Sequence, residues 1–231
     1  GWRVTLAGVG VFALFAALAV GRTLPSGLYG QPINRMAWRN LSKSPHLMLI
    51  VCVTGLQALG QFVLFGFVAP ALVEQINADA RMISLLFFVT GAAGLIGTLA
   101  MSRLIDRFGP PSMVHLAIGS AQAAFLLWPM GQESLLVTAA LMALWGSASF
   151  TINGAQQARL MLEAPELASA TLPLNTSAIY IGQACGTMLG GLVLARFGAY
   201  WLAPVGGVIL AFALSLSIIA AAQREGALSR S

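Results

Sequence analysis

The chain has 231 residues, 58% of them hydrophobic and 8% charged, with mean hydropathy +0.85 and a formal net charge of +5. Soluble globular domains are about 45–50% apolar and about 25% charged. The composition therefore excludes an ordinary soluble domain and points to a protein of the bilayer.

A hydrocarbon core of roughly 30 Å needs about 20 apolar residues to cross it. Windows of that length predict seven spans, at 4–20, 46–73, 82–102, 112–130, 134–158, 167–195 and 199–222. Each interruption carries charge, proline or both. Runs such as LLFFVTGAAGLIGTLA do not alternate polar with apolar, so the spans read as helices and not as barrel strands. Ser44-Pro45 supplies a capping hydroxyl and a first-turn proline before the second span, and Asn77 and Asp79 are candidate caps before the third.

The first span is set apart from the rest by about 25 residues rich in Gly, Pro and charge, a linker by loop-length priors. Spans two to seven follow with short connections. The expected organisation is a leftover helix at 1–20, a linker at 21–45, a six-helix bundle at 46–222 and a tail at 223–231. Because the chain starts at Gly1, a fragment is expected.

Basic residues set orientation, since Lys and Arg favour the cytoplasmic side. Nine fall on one side (Arg22, Arg35, Arg39, Lys43, Arg103, Arg107, Arg159, Arg224, Arg230) and three on the other (Arg3, Arg81, Arg196). The linker and the C-terminus are therefore expected to be cytoplasmic. This topology accounts for the positive balance, and no nucleic-acid partner is called for.

The stretch SRLIDRFGPP, residues 102–111, is expected as a short cytoplasmic turn. Two roles fit it: its arginines anchor topology, or Asp106, placed near a helix end or an arginine, biases one access state. Further along, GTLAMSRLIDRFG (97–109) and GTMLGGLVLARFG (186–198) share their first two and last three residues without a gap. They end the third and sixth spans, whose exits lie on opposite sides, as two three-helix units of inverted topology would require.

That loop resembles the Gly-x-x-x-Asp-Arg-x-Gly-basic-basic signature of the major facilitator superfamily, with Asp106, Arg107 and Gly109 matching. Ser102 replaces the first glycine, and Pro110-Pro111 the basic pair, as in a degenerate second-half copy. GWR at the start, GQFVLFGFVAPAL (60–72), GAAGLIG (91–97) and APELASATLPLNTSAIYIGQACGTMLGG (164–191) resemble the drug:proton antiporter branch, which includes arabinose-efflux-like permeases.

The resemblance implies an all-α polytopic membrane protein: the C-terminal six-helix bundle of a major facilitator fold plus the last helix of the N-terminal bundle. It implies alternating-access efflux of a small organic solute in exchange for protons, in a bacterial inner membrane, completed by the missing N-terminal six-helix bundle. An uptake permease of the same fold and a nontransporting scaffold are the alternatives.

Candidate residues for such work come from polar side chains near mid-span. Gln57, Gln61 and Phe65 share one helical stripe, and Trp145, Ser149, Asn153 and Gln156 make another. Buried amides and hydroxyls need partners, so these stripes either face a wet cavity or bond helix to helix. Tyr180 and Gln183 mark the middle of the sixth span. Gly91, Gly94 and Gly97, and Gly182, Gly186 and Gly190, allow close helix packing, whether static or sliding.

No Asp, Glu, Lys or Arg stands in the middle of a span, so a proton-coupling residue is expected in the preceding half. His46 and His115, at span entrances, read as interfacial. Cys52 and Cys185 read as small apolar residues. The sole lysine, Lys43, lies in a loop, which removes a retinal pigment. HExxH and GxSxG motifs are absent, and two scattered histidines make no metal site. No enzyme, cofactor or metal is expected.

Overall fold

The computed structural model of the chain describes residues 2–24 and 35–228. They fall into two units, Gly1–Pro32 and Ile33–Ser231. Much of the expected linker, at 25–34, and Arg230 in the tail lie outside the described residues, as does Gly1 of the GWR stretch.

In the first unit, α1 (Trp2–Thr23) is an apolar helix whose described side chains are all exposed. The second unit holds α2 (Arg35–Ser42), α3 (Pro45–Phe65), α4 (Val68–Ile76), α5 (Ala80–Phe108), α6 (Pro110–Leu126), α7 (Leu135–Glu163), α8 (Ala168–Phe197) and α9 (Leu202–Leu228). Short 3-10 turns precede α7, α8 and α9. The described residues contain no strand, so the expected all-α membrane fold is present.

Among the described residues, six helices are long and apolar enough to cross a membrane: α1, α3, α5, α7, α8 and α9. The remaining expected span is shorter than its sequence suggests. Residues 112–130 form α6, of 17 residues, and then a 3-10 turn at Trp128–Glu133. Seventeen residues at 1.5 Å each rise roughly 25 Å, the lower limit for a span.

Residues 46–73 are not one helix either. α3 ends at Phe65, Phe67 takes a non-helical conformation, and α4 resumes at Val68. Pro70 explains the break, because its ring would clash with the carbonyl of residue 66 and it has no N–H to donate there.

Three further expectations need correction. Part of the linker is helical: α2 buries Leu41 beside Leu47, Ile50, Leu160 and Ala220, in a small apolar cluster. The stretch at 102–111 is not a loop, since Asp106 and Arg107 form the exposed last turn of α5, and Gly109 alone separates it from α6. Arg159 is not a connecting residue, because α7 continues to Glu163 and its side chain is fully buried.

Local signals work elsewhere as side-chain chemistry requires. The Ser44 hydroxyl accepts from the Leu47 amide at 3.4 Å, and the Asp79 carboxylate from the Met82 amide at 2.7 Å. Asn77 instead closes α4 in the left-handed region, at φ 50°, a conformation Asn tolerates better than most residues.

Packing in the second unit has internal symmetry. α3 packs on α8 and α9, α7 packs on α5 and α6, and α6 and α9 pack on each other. Exchanging α3, α5 and α6 with α7, α8 and α9 leaves that pattern unchanged. The matched ends of the two repeated segments agree as well. Gly109 (φ 79°, ψ 154°) closes α5 by donating to the Ile105 carbonyl, and Gly198 (φ 84°, ψ 172°) closes α8 by donating to Leu194. Both positions use a conformation that essentially only glycine reaches.

Candidate functional site

Between α3, α5 and α7 lies a cavity of about 230 Å³, lined by Gln61, Phe62, Phe65, Thr90, Trp145, Gly146, Ser149, Phe150 and Asn153. Five of the seven stripe residues, Gln61, Phe65, Trp145, Ser149 and Asn153, meet there. None of its lining residues is charged.

Gln61 is the polar hub. Its Oε1 accepts from Trp145 Nε1 at 3.0 Å and from the Ser149 hydroxyl, while its Nε2 donates to Gln57 Oε1. The Ser149 hydroxyl also lies 2.8 Å from the Trp145 carbonyl one turn back. These bonds tie α3 to α7 in an apolar setting, where an unmade bond would cost about 1–3 kcal/mol per group.

Trp145, 2% exposed, is wedged edge-on among aromatic rings. Its centroid lies 5.8 Å from Phe65, 5.2 Å from Phe125 and 6.4 Å from Trp128, each at 73–88° between ring planes. Trp128 is in turn fixed by donation from Nε1 to Gln75 Oε1 at 2.9 Å. Edge-to-face contacts each add about 0.5–1.5 kcal/mol beyond burial, so this indole is a rigid wall.

Asn153 is different. Its Oδ1 is buried and unpartnered. Thr90, by contrast, spends its hydroxyl on the Leu86 carbonyl at 2.8 Å.

Two stripe residues do not line the cavity. Gln57 sits one turn behind Gln61, buried, and serves as its acceptor. Gln156 breaks the four-residue spacing of its stripe and enters a separate buried network nearer the end of α7. There its Nε2 donates to Thr54 Oγ1 at 2.9 Å and the Ile50 carbonyl at 3.3 Å, and Thr54 donates to Asn175 Oδ1 at 2.6 Å. Gln156 thus bonds helix to helix, from α7 to α3, whereas the bond of Gln57 stays within α3 and braces Gln61. Tyr180 is exposed on α8 and Gln183 half-buried, and neither reaches the cavity.

The packing glycines divide in the same way. A Cβ on Gly182, Gly186 or Gly190 would run into the carbonyl oxygen of Gly55, Leu59 or Val63 on α3. On α5, Gly94 lies against the Phe150 ring, and a Cβ on Gly97 would come within 2.9 Å of the Ser147 carbonyl. Gly91 has nothing within 4 Å among the described residues, so it packs on no helix of this unit.

Sequence reasoning missed Phe62, Thr90, Gly146 and Phe150 in the wall and Asn175 in the buried network. Phe62 and Phe150 each follow a stripe residue directly, which was the available signal. Thr90 and Asn175 had none, because their roles depend on which helix packs opposite.

Residues 1–172 match the family model described as Major Facilitator Superfamily. The chain is also 30% identical, over 231 residues, to the protein named Transcription regulatory protein OpdE of Pseudomonas aeruginosa. That match covers 98% of this chain and 57% of the relative, so the chain spans little more than half of that protein's length.

Proposed function

The chain belongs to the major facilitator superfamily, a family of membrane transporters, and on that premise we propose that it is the second bundle of a secondary transporter. In this reading α3–α9 supply one half of a central site, and a preceding six-helix bundle, of which α1 is the last helix, supplies the other. The observation that carries the proposal is the convergence of Gln61, Phe65, Trp145, Ser149 and Asn153 on one uncharged cavity.

An aromatic wall with amide and hydroxyl groups suits a small neutral or amphipathic organic solute. Efflux in exchange for protons, as in the drug:proton antiporter branch, is the proposed direction, in a bacterial inner membrane with the C-terminus cytoplasmic. With no charged group in the cavity, the coupling residue is assigned to the preceding bundle. The charged turn at Asp106 and Arg107 is assigned an anchoring role: both side chains are exposed, and Arg107 lies 5.1 Å from the ring of its neighbour Phe108.

Alanine at Gln61 or Asn153 in the full-length protein is expected to lower solute transport in vesicles without lowering membrane insertion. Unchanged transport sinks the cavity assignment. Single cysteines at Arg39 and Arg103 are expected to resist an impermeant thiol reagent in intact cells and one at Arg196 to react; the reverse pattern overturns the orientation. The relative's name, a transcription regulatory protein, favours a second reading, a nontransporting membrane protein. Ligand-dependent stabilisation without transport would favour it.

A further inference from the structure

The second unit places a group of charged side chains well away from the cavity, where the start of α3 meets the ends of α7 and α9. Glu163, with a side chain only 6% exposed, is its centre. Its Oε2 lies 3.4 Å from His46 Nε2 on α3 and 3.3 Å from Arg224 Nε on α9, and its Oε1 has no partner. One carboxylate thus ties three helix ends together.

One turn back on the same helix is Arg159, fully buried. Its two terminal nitrogens donate to the Ser217 hydroxyl at 2.9 Å and the Ser217 carbonyl at 3.3 Å, and its Nε is unpartnered. Among the described residues no carboxylate lies within 4 Å of this guanidinium. A buried cation with no carboxylate in direct contact favours an anion that can reach it, and Glu163 already acts on this guanidinium through space. Residues four apart on a helix are neighbours, so the Glu163 carboxylate is the anion in reach.

We propose that His46 and Glu163 form a proton-binding site that clamps this end of the bundle, and that Glu163 alternates between two sets of partners. With His46 protonated, the carboxylate bridges His46 and Arg224 and holds α3 and α9 against α7. With His46 neutral, it turns back to Arg159 and the clamp loosens. The proton comes from solvent through the partly exposed imidazole, whose side chain is 26% accessible, and no other group changes charge. Histidine is the side chain whose charge changes near neutral pH. A cation in the first turn of α3 runs against the helix dipole, so the protonated ring needs the carboxylate.

Glu163 is met by His46 from α3, Arg224 from α9 and Arg159 from its own helix; Glu166, in the turn after α7, is exposed. His115 of α6 feels the charge of Arg159 and the backbone of the same Ser217, and its Nε2 is buried without a partner. This site is distinct from the coupling residue assigned to the preceding bundle, and its test needs no transport.

The test is hydrogen exchange of the full-length protein at about pH 5.5 and about pH 8, corrected for intrinsic rates and read on the first two turns of α3. In the unsubstituted protein, protection is expected to rise roughly fivefold at the acid pH. His46→Gln should abolish the difference, and Glu163→Gln should give low protection at both values. Arg159→Gln, if folded, should give high protection at both, because the competing partner is gone. His115→Gln should leave the difference intact. A flat profile in the unsubstituted protein, a difference that survives His46→Gln, or one that disappears with His115→Gln overturns the proposal.

Discussion

The α3–α8 and α5–α7 interfaces occupy equivalent places in the symmetric packing, yet one is sealed and the other holds a cavity. On α8, Gly182, Gly186 and Gly190 recur at four-residue spacing and bring the helix onto three successive carbonyls of α3. On α5 the glycines fall at 91, 94 and 97, so only two face α7, and Phe150 fills the space at Gly94. Four-residue steps keep glycine on the interface ridge. Three-residue steps turn it away, since each step falls short of a full turn by about 60°. The second interface closes as tightly only where Gly146 of α7 meets the Thr90 carbonyl, and aromatic and amide side chains line the cavity beside it.

The largest expected effect tests the sealed side. Gly186→Leu would drive a side chain into the Leu59 backbone and should destabilise the full-length protein by about 3 kcal/mol, read as a lowered melting temperature in detergent. Gly91→Leu should change it by less than about 0.5 kcal/mol. Equal losses at the two sites would erase the contrast.

Next comes Thr54→Val. It removes the donor to Asn175 and the acceptor of Gln156, leaving buried amides unpaired, and should cost about 1–3 kcal/mol with little effect on solute affinity. A change confined to affinity would move this network into the functional site. Gln61→Ala should do the opposite, lowering transport roughly tenfold while the folded protein persists, because Trp145 and Ser149 lose their shared acceptor.

Smaller effects belong to the helix ends. Asp79→Ala removes the cap of α5 and should lower stability by about 1 kcal/mol in thermal unfolding, without altering the cavity. Asp106→Ala, on an exposed turn, should fall within about 0.5 kcal/mol of the parent. A larger loss of stability or of transport at Asp106 would restore the gating role that the exposed position argues against.

Much of the fold follows from residue chemistry acting over short distances. Hydropathy sets the number of long apolar segments, Ser44 and Asp79 set where α3 and α5 begin, and Gly109 and Gly198 set where α5 and α8 end. The repeated Arg-Phe-Gly is legible for the same reason, because the local backbone demands a glycine at positive φ at 109 and 198, whereas the Gly-Thr glycines at 97 and 186 are helical and meet a neighbouring helix. The break at Phe67 is a local effect too, recoverable from Pro70, which stands inside an apolar run that otherwise reads as one span.

The candidate site is only partly of that kind. The stripes at Gln61 and Phe65 and at Trp145, Ser149 and Asn153 follow from helical periodicity. That Gln57 and Gln156 leave the cavity does not, because a polar side chain on the right face chooses between solvent-lined space and a neighbouring helix according to what packs opposite. The same holds for Arg159 and Glu163, which read as flanking charges at the end of a hydrophobic run. Sequence alone determined the membrane class, the existence of the long helices and the caps at Ser44 and Asp79, since these depend on the bilayer and on neighbours within a turn or two. Tertiary structure alone decided which polar groups are partnered across helices and which charges are buried, since those partners lie 53 to 121 residues away along the chain.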